Sequence, residues 1–429
     1  MTAMDTNTKR LVIVGGGAAG LMAAVAAGDE ARKRGVPLRI DILERDDRVG
    51  RSILVTGNGR CNFSNLNLDR GLWRYWNADF VREALGSFEL DDADDRPVID
   101  YLDRLGLEWR AEDDGRLYPL ANKASVVVDV LRAAASQVGA RELCGLGVKA
   151  IEPPREEGKR FTLRMTDGTF ERADAVVLAC GGRALRSIQV EGLQSLPQRP
   201  MLGPLRVTDD YIPYVRELDN IRVRCSVVLF RERDGDLACI GSQKGELMFR
   251  KYGVSGICVF DLSRIAQPGD VLTINFFQTS DRDQCKDYLL ARKRDLVERF
   301  GPNLTCSDML RGFVLPRVAD VLLKKVGLSE TSPCTDEALD ELVWVLSDFT
   351  LIVAGIGDPD ICQVMRGGFA VSEVEPSTME VRSIKGLHIV GEALDVDGPC
   401  GGFNLHWAWA SGILAGRAAA AGLLSSQGE

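Results

Sequence analysis

The feature that most constrains this chain is a glycine cluster that directly follows a short apolar segment near its start. Gly15, Gly17 and Gly20 have the spacing G-x-G-x-x-G, after RLVIV and before LMAAVAAGDEARKRG. The next segment, PLRIDILERDD, contains a second predicted strand that ends at Glu44, 24 residues after Gly20. A strand, a glycine turn, a helix, a strand and an acid in this order are typical of a dinucleotide-binding βαβ unit.

Each part of this pattern has a physical reason. Gly15 permits the tight turn, Gly17 lets a pyrophosphate approach the backbone, and Gly20 lets the helix pack close to the strand. The helix start offers free N–H groups and a positive dipole end to phosphates. The carboxylate of Glu44 is expected to accept hydrogen bonds from ribose hydroxyls.

The apolar run Leu11–Gly28 also has features of a secretory signal or a membrane span. Its glycine cluster argues against both, because a span needs about 20 less interrupted apolar residues. Eleven cysteines without a C-x-x-C spacing argue against a secreted disulfide framework and a cysteine-type zinc site. With only two histidines, we expect no metal site. These patterns predict a cytoplasmic protein with no membrane segment.

The net charge of −9 and the 45% apolar composition are those of a soluble globular chain with two or three domains. Scattered acidic residues argue against a general nucleic-acid partner, which would need a basic face. We therefore expect a small-molecule substrate, while the sequence leaves the oligomeric state open.

The glycine fingerprint alone does not choose between NAD and FAD, but later segments do. The segment DDRVGRSILVTGNGRCNFSN follows Glu44, and its glycines and asparagines suit a backbone folded against a ligand. Arg51 and Arg60 in this segment are predicted to meet phosphates or a substrate anion. An Asp167-Gly168 hairpin then leads to a buried strand and the small-residue turn at Gly181, which is predicted to lie against the nucleotide.

A third segment, GLHIVGEALDVDGPCGGFNLHWAWASG, lies near the C-terminus. Gly402 opens an apolar helix, and the positive end of that helix suits the negative charge of a reduced flavin. Together with VGGGAAGLMAA, GNGRCNFSN and GRLYPLANKAS, this segment resembles two-dinucleotide-fold flavoproteins, a family that includes bile-acid-reductase-like and aminoacetone-oxidase-like proteins.

The resemblance implies FAD as cofactor and an α/β fold: a glutathione-reductase-like FAD-binding Rossmann domain with an inserted substrate domain. It assigns the adenine dinucleotide to Gly15, Gly17, Ala18, Ala19, Gly20 and Glu44. It assigns the flavin side to Asn58, Gly59, Arg60, Cys61, Asn62, Gly391, Glu392, Gly402, Asn404 and Leu405. Members often carry phenylalanine at Tyr118, threonine at Cys180 and glutamine at His406, so the resemblance does not carry over a substrate.

The pattern along the chain predicts where the insertion lies. The FAD-binding domain is expected at residues 8–195 and 362–429. Residues 205–280 alternate with period two, which predicts a β-barrel-like substrate subdomain. Residues 281–355 have helical spacing and are predicted to form a small helical subdomain.

Tyr118 and His406 are the predicted proton donors, although a packed tyrosine and a core histidine explain them equally well. We expect hydride transfer from NADH or NADPH to an activated C=C bond of an enone, steroid or bile-acid-like substrate. The alternatives are an amine oxidase that uses O₂ on aminoacetone-like substrates, and a non-catalytic or RNA-directed flavoprotein. No second G-x-G-x-x-G is visible, so any NAD(P)H is expected to bind transiently.

Overall fold

A computed structural model describes residues 8–71, 74–88, 96–156, 159–277 and 282–425. The chain divides into two compact units. The first unit comprises Met1–Arg199 and Val364–Glu429, and the inserted unit comprises Pro200–Gln363. Each unit has its own apolar core.

The first unit is an α/β structure. Its helices are α1 (Ala18–Arg34), α2 (Arg51–Leu54), α3 (Leu68–Gly71), α4 (Ala78–Gly86), α5 (Pro97–Arg104), α6 (Ala124–Gln137), α7 (Gly181–Leu185) and α14 (Phe403–Ser425). Its strands are β1 (Lys9–Val14), β2 (Leu38–Glu44), β3 (Ser64–Asn65), β4 (Trp109–Ala111), β5 (Arg116–Pro119), β6 (Arg141–Cys144), β7 (Val148–Glu152), β8 (Phe161–Met165), β9 (Phe170–Ala173), β10 (Ala175–Leu178), β11 (Gln189–Val190), β12 (Ser195–Met201), β19 (Val364–Phe369) and β20 (Leu387–Ile389).

The centre of this unit is a parallel five-stranded sheet in the order β20-β10-β1-β2-β6. Strand β1 is apolar without alternation, and residues Leu11–Val14 are buried. Such uniform burial is expected where helices cover both faces of a parallel sheet. Because all five strands are parallel, their carboxyl ends lie along one edge, which is where α/β folds bind ligands.

Helices α1 and α14 pack against each other almost backbone to backbone. A Cβ on Gly412 would lie 2.5 Å from the carbonyl oxygen of Ala19, and a Cβ on Gly416 would lie 2.3 Å from that of Ala23. Both contacts advance by four residues, so the two helices run parallel. Glycine inside a helix costs about 1 kcal/mol relative to alanine, and here it permits the close approach.

Three small sheets complete the first unit, in the orders β11-β7-β8-β9, β3-β5-β4 and β12-β19. Strands β8 and β9 form an antiparallel hairpin. The predicted Asp167-Gly168 turn is confirmed, and Gly168 has a φ of +88° there.

The inserted unit contains a closed six-stranded barrel in the order β13-β16-β15-β14-β17-β18. Its strands are β13 (Leu205–Val207), β14 (Arg222–Arg233), β15 (Asp236–Arg250), β16 (Gly253–Ser255), β17 (Val271–Asn275) and β18 (Phe349–Ile356). Its helices are α8 (Ile212–Glu217), α9 (Ile257–Ser263), α10 (Arg282–Phe300), α11 (Cys306–Leu310), α12 (Pro316–Lys325) and α13 (Asp336–Ser347).

The end of the helical segment differs from the expected boundary at residue 355. Helix α13 ends at Ser347, and Phe349–Ile356 is strand β18, which pairs with both β13 and β17. This strand closes the barrel after the chain has passed through four helices. Among the described helices, none combines the length and the apolar character needed to cross a bilayer.

Candidate functional site

The carboxyl ends of four adjacent strands bring together residues that are far apart in the sequence. Gly391 follows β20, Gly181 follows β10, Gly15 follows β1, and Glu44 ends β2. All four were predicted as cofactor-binding residues, and the fold places them along one edge of the central sheet.

The first glycine turn leaves no room for side chains. Gly15 has a φ of +106°, and a Cβ there would lie 2.5 Å from the carbonyl oxygen of Ala179. A Cβ on Gly20 would lie 1.9 Å from the carbonyl oxygen of Gly15. Helix α1 begins at Ala18, and its N-cap, Gly17, gives it no side-chain cap. The first-turn N–H groups are thus available to a phosphate.

The carboxylate of Glu44 is fixed beside this turn. Its Oε2 accepts a hydrogen bond from the N–H of Gly16 at 2.8 Å, and its Oε1 accepts one from the N–H of Asp46 at 2.9 Å. A carboxylate has about four acceptor sites, so two hydrogen bonds leave capacity for ribose hydroxyls. The side chain is partly exposed, as a ligand contact requires.

The loop that was predicted to face the flavin has a strained backbone. Gly57, Gly59, Asn58 and Cys61 all have positive φ, and the last two are not glycines. Strain of this kind is concentrated at ligand sites. The Cys61 side chain is fully buried, and burial raises its thiol pKa to about 12. Cys61 is therefore a protonated packing group, and only its backbone faces this loop's surroundings.

Asn62 connects this loop to the start of α14. In the orientation that satisfies its neighbours, its amide nitrogen donates to the carbonyl oxygens of Leu117 at 3.1 Å and Ser64 at 3.0 Å. Its amide oxygen accepts from the N–H of Gly402 at 3.1 Å. Asn65 adds a hydrogen bond to the carbonyl oxygen of Gly401 at 2.8 Å. Asn62 thus positions the helix start through its side chain.

The two glycines before α14 are sterically required. Gly401 and Gly402 have φ values of +111° and +97°, and a Cβ on Gly402 would lie 2.2 Å from the carbonyl oxygen of Ser64. The Asn404 amide bonds back to Gly398, accepting from its N–H at 2.7 Å and donating to its carbonyl at 3.0 Å. Leu405 packs against the apolar core. These two side chains support the turn, so any cofactor contact they make is through backbone groups.

Gly391 and Glu392 lie at the other side of the sheet edge. The N–H of Gly391 donates to Ser411 Oγ at 3.0 Å, and a Cβ on Gly391 would lie 3.3 Å from the Cβ of Ala19. Gly391 therefore contacts the first turn of α1. Burial raises the pKa of Glu392 to about 7, although N–H groups of Met365 and Gly182 lower it. Gly181 begins α7 with a φ of +70°.

His406 lies one turn into α14 and is buried. Its Nδ1 is 2.9 Å from Ser64 Oγ. Burial lowers the pKa of the imidazole to about 3, so the ring is neutral at pH 7. In this state His406 exchanges a hydrogen bond with Ser64 and carries no ionisable proton for a substrate.

Tyr118 is surrounded by arginines. The Arg60 guanidinium carbon lies 4.6 Å from the ring centroid, that of Arg110 lies 5.5 Å away, and Arg116 Nη1 is 3.4 Å from the phenol oxygen. Glu112 lies within 3.7 Å of all three guanidinium groups. Burial raises the Tyr118 pKa and the arginines lower it, with a net increase, so the phenol is protonated at neutral pH.

Sequence analysis missed Arg110 and Arg116. Arg110 is directly opposite Tyr118 in the β4–β5 hairpin, and Arg116 is two residues before it on the same face. Arg51, which was predicted to meet a phosphate, is exposed and lies 3.3 Å from Asp47. The structure therefore gives Arg60 an aromatic partner and gives Arg51 a surface ion pair.

The two helix starts are offset along the parallel pair. Gly412 contacts Ala19, the second residue of α1, and lies nine residues after the α14 start at Phe403. Nine residues correspond to about 14 Å along a helix axis. An elongated cofactor with a diphosphate at one end and an electron-accepting ring at the other matches two positive helix ends at this separation. The residues of the site fit FAD.

Comparisons with known proteins agree with this geometry. The sequence model of a family described as HI0933-like protein Rossmann domain matches residues 9–418. The chain is 31% identical to the 3-dehydro-bile acid delta(4,6)-reductase of Clostridium scindens, covering 96% of this chain and 99% of that protein. It is 26% identical to the ribosomal RNA dihydrouridine synthase of Escherichia coli, covering 93% and 95%, and 23% identical to that of Haemophilus influenzae, covering 93% and 96%.

Proposed function

The chain belongs to the HI0933-like Rossmann-domain family and is an FAD-dependent oxidoreductase, and we propose that it reduces a carbon–carbon double bond conjugated to a carbonyl. NADH or NADPH supplies the hydride, and an enone of steroid or bile-acid type is the substrate class. The observation that carries this proposal is the 31% identity to a bile-acid reductase over nearly the whole of both chains.

The names of the relatives have one chemistry in common. A 3-dehydro bile acid with delta(4,6) double bonds is a conjugated ketone. A dihydrouridine is a uridine whose ring double bond, conjugated to a carbonyl, has been saturated. Both products require a hydride at the β-carbon and a proton at the α-carbon. An amine oxidase would need neither a proton donor for carbon nor a site for a carbonyl.

The residues at the sheet edge are proposed to hold FAD. The turn Gly15–Gly20 receives the diphosphate, Glu44 the ribose, and the α14 start the electron-rich edge of the ring. Bound FAD supplies the capacity to take a hydride from NAD(P)H and deliver it to the substrate. The barrel and helices of the inserted unit are proposed to be the substrate-binding part.

Tyr118 is proposed to deliver the proton. Its raised pKa keeps the phenol protonated, so it acts as an acid at neutral pH. When the O–H bond breaks and a C–H bond forms at the α-carbon, a phenolate remains beside Arg60, Arg110 and Arg116. These cations stabilise the phenolate until water returns the proton. His406, neutral and bonded to Ser64, is assigned a positioning role.

The experiment follows the colour of the purified holoenzyme without oxygen. NADH or NADPH should bleach the flavin absorbance, and a 3-oxo-Δ4,6 steroid acid should restore it with one equivalent of reduced product. Bleaching without recovery on adding the enone, but with recovery in air, would contradict the reductase proposal. Bleaching by aminoacetone in place of NAD(P)H would establish the oxidase alternative.

Uridine in RNA is a second candidate substrate, because two of the three relatives reported above act on ribosomal RNA by name. The net charge of −9 disfavours a large RNA interface. Replacing the enone by ribosomal RNA that lacks dihydrouridine separates the candidates. Re-oxidation by this RNA alone, with dihydrouridine detected by mass spectrometry, would select the RNA reaction.

A further inference from the structure

A cavity of about 830 Å³ lies within the inserted unit, apart from the residues assigned to FAD. Strand β14, helix α10 and the segment after α11 form its walls. Most of the lining is apolar and includes Val223, Phe276, Phe277, Phe313, Val314 and Leu315. A cavity of this size accommodates a ligand of 20 to 30 heavy atoms, on the order of a drug-sized molecule.

Three aromatic rings form one wall of this cavity. Phe313 lies 5.0 Å from Phe277 and 5.8 Å from Tyr288, centroid to centroid, with interplanar angles of 46° and 40°. Phe277 and Tyr288 meet edge to face at 77°. Tyr288 is 48% exposed and Leu315 is 53% exposed. Large exposed apolar side chains around a concavity are typical of a ligand site.

Two arginines form the polar part of the lining. Arg222 and Arg224 are two residues apart on β14 and therefore point to the same face. Arg222 pairs with Glu246 across the β14–β15 ladder at 2.6 Å, and both side chains are largely exposed. Within the described part of the chain, Arg224 makes no ion pair or side-chain hydrogen bond. One uncompensated guanidinium thus lies beside an apolar cavity.

We propose that this cavity binds an amphipathic organic anion, with an apolar body against the aromatic wall and a carboxylate on Arg224. A guanidinium and a carboxylate make two parallel charge-assisted hydrogen bonds, which is the strongest contact that this lining offers. The tilts of 40° to 77° between the rings leave no parallel slot for a nucleobase. Bulky aliphatic bodies suit tilted rings and the neighbouring valine and leucine side chains.

The test uses the oxidised holoenzyme and isothermal titration calorimetry. The probes are cholate below its micelle concentration, decanoate, a neutral steroid and AMP. Cholate is saturated between C4 and C7, so it is not reduced and its binding is independent of the proposed reaction. We expect the carboxylates to bind in preference to the neutral steroid and AMP. Tighter binding of cholate assigns a steroid acid, and tighter binding of decanoate assigns a fatty acid.

Arg224→Gln should weaken carboxylate binding at least tenfold. Arg233→Gln, a change of the same exposed residue type at the far end of β14, should leave it unchanged. Tyr288→Ser removes half-exposed apolar surface without opening the core, and it should also weaken binding. Affinity that is insensitive to Arg224→Gln would overturn the proposal, as would cholate binding that shifts the flavin spectrum with full affinity in this variant. Preferential binding of AMP or of the neutral steroid would overturn it too.

Discussion

The two helix starts of the FAD site have the same electrostatic task, but they are built in different ways. The α1 start is local: its turn is shaped by glycines, and the residues that fix it lie within β1, α1 and the ends of adjacent strands. The α14 start is held by side chains from a loop about 340 residues earlier in the chain, namely Asn62, Ser64 and Asn65.

The difference shows what fixes the position of a helix end. Where backbone meets backbone, as at Gly20, sterics alone fix the geometry and no hydrogen-bonding side chain is needed. Where the turn Gly398–Gly402 carries positive φ values next to a buried loop, amides and a histidine satisfy the backbone polar groups. We therefore expect the α1 start to fail by steric substitution and the α14 start to fail by loss of hydrogen bonds or by acid.

The largest effect is expected from Gly20→Ala. The new Cβ would lie 1.9 Å from the carbonyl oxygen of Gly15, and backbone cannot yield as a flexible side chain does. We expect about 3 kcal/mol loss in the free energy of unfolding and no retained FAD. The measurements are the flavin-to-protein absorbance ratio and a thermal melt. Gly422→Ala, in α14 with open space around it, is the control and should behave as wild type.

A smaller effect is expected from Asn62→Ala, which removes three hydrogen bonds at the α14 start. Leaving the buried N–H of Gly402 unsatisfied costs about 2 kcal/mol, and FAD should bind at least tenfold more weakly. Asn67→Ala, which removes one exposed hydrogen bond to Asp114, should be nearly neutral. Equal behaviour of the two variants would mean that the α14 start is held by packing alone.

The contrast also explains how far the sequence could be read. The α1 turn was predicted residue by residue because its determinants lie within 30 residues of one another. Asn62 was predicted to touch the flavin, but its amide partners are Gly402, Ser64 and Leu117, and no local pattern reveals partners so distant. The hairpin WRAEDDGRLYP does contain the information that Arg110 faces Tyr118, because period two and the turn fix the register.

Strand β18 shows the opposite limitation. FTLIVAGI is an apolar run of eight residues next to a helix, and such runs do not distinguish strand from helix by period. Its assignment depends on β13 and β17, which lie some 140 and 80 residues earlier. The closure of the barrel was therefore not predictable from this segment alone.

Acid should distinguish the two helix starts by about 2 kcal/mol. The folded His406 has a pKa of about 3 against an ordinary 6.5, so below pH 6.5 the unfolded chain binds a proton that the native state does not. His406 therefore contributes stability that is complete above pH 6.5 and is lost as pH falls towards 3. Between pH 7 and pH 5 the loss is about 2 kcal/mol.

Urea unfolding of wild type and His406→Asn at both pH values measures this loss. The variant should show a smaller difference between pH 7 and pH 5, because His388 is then the chain's only histidine. Burial also lowers the pKa of His388, so some pH dependence should remain. An unchanged slope in the variant would show that His406 does not account for the acid sensitivity.

Tyr118→Phe tests the loop beside the α14 start without disturbing the α1 start. Flavin retention and bleaching by NAD(P)H should be unchanged, while re-oxidation by the enone should slow about 100-fold, because only the second step needs a proton on carbon. Stopped-flow absorbance separates the two steps. Tyr101→Phe removes a phenol that donates to Asp29 away from the site and should leave both rates alone. A slowed first step in Tyr118→Phe would indicate a structural role.

The smallest effect is expected from Arg51→Gln, which sharpens the assignment of the α1 start to glycine geometry. Arg51 is exposed and pairs with Asp47 at 3.3 Å, and exposed pairs contribute about 0.5 kcal/mol or less. FAD affinity should change by less than twofold, with the same dependence on salt as in wild type. If the affinity instead fell tenfold at low salt and the loss vanished in 0.5 M salt, roughly four Debye lengths shorter in reach than dilute buffer, Arg51 would be a phosphate ligand. The α1 start would then depend on a side chain as the α14 start does, and the distinction between the two would not hold.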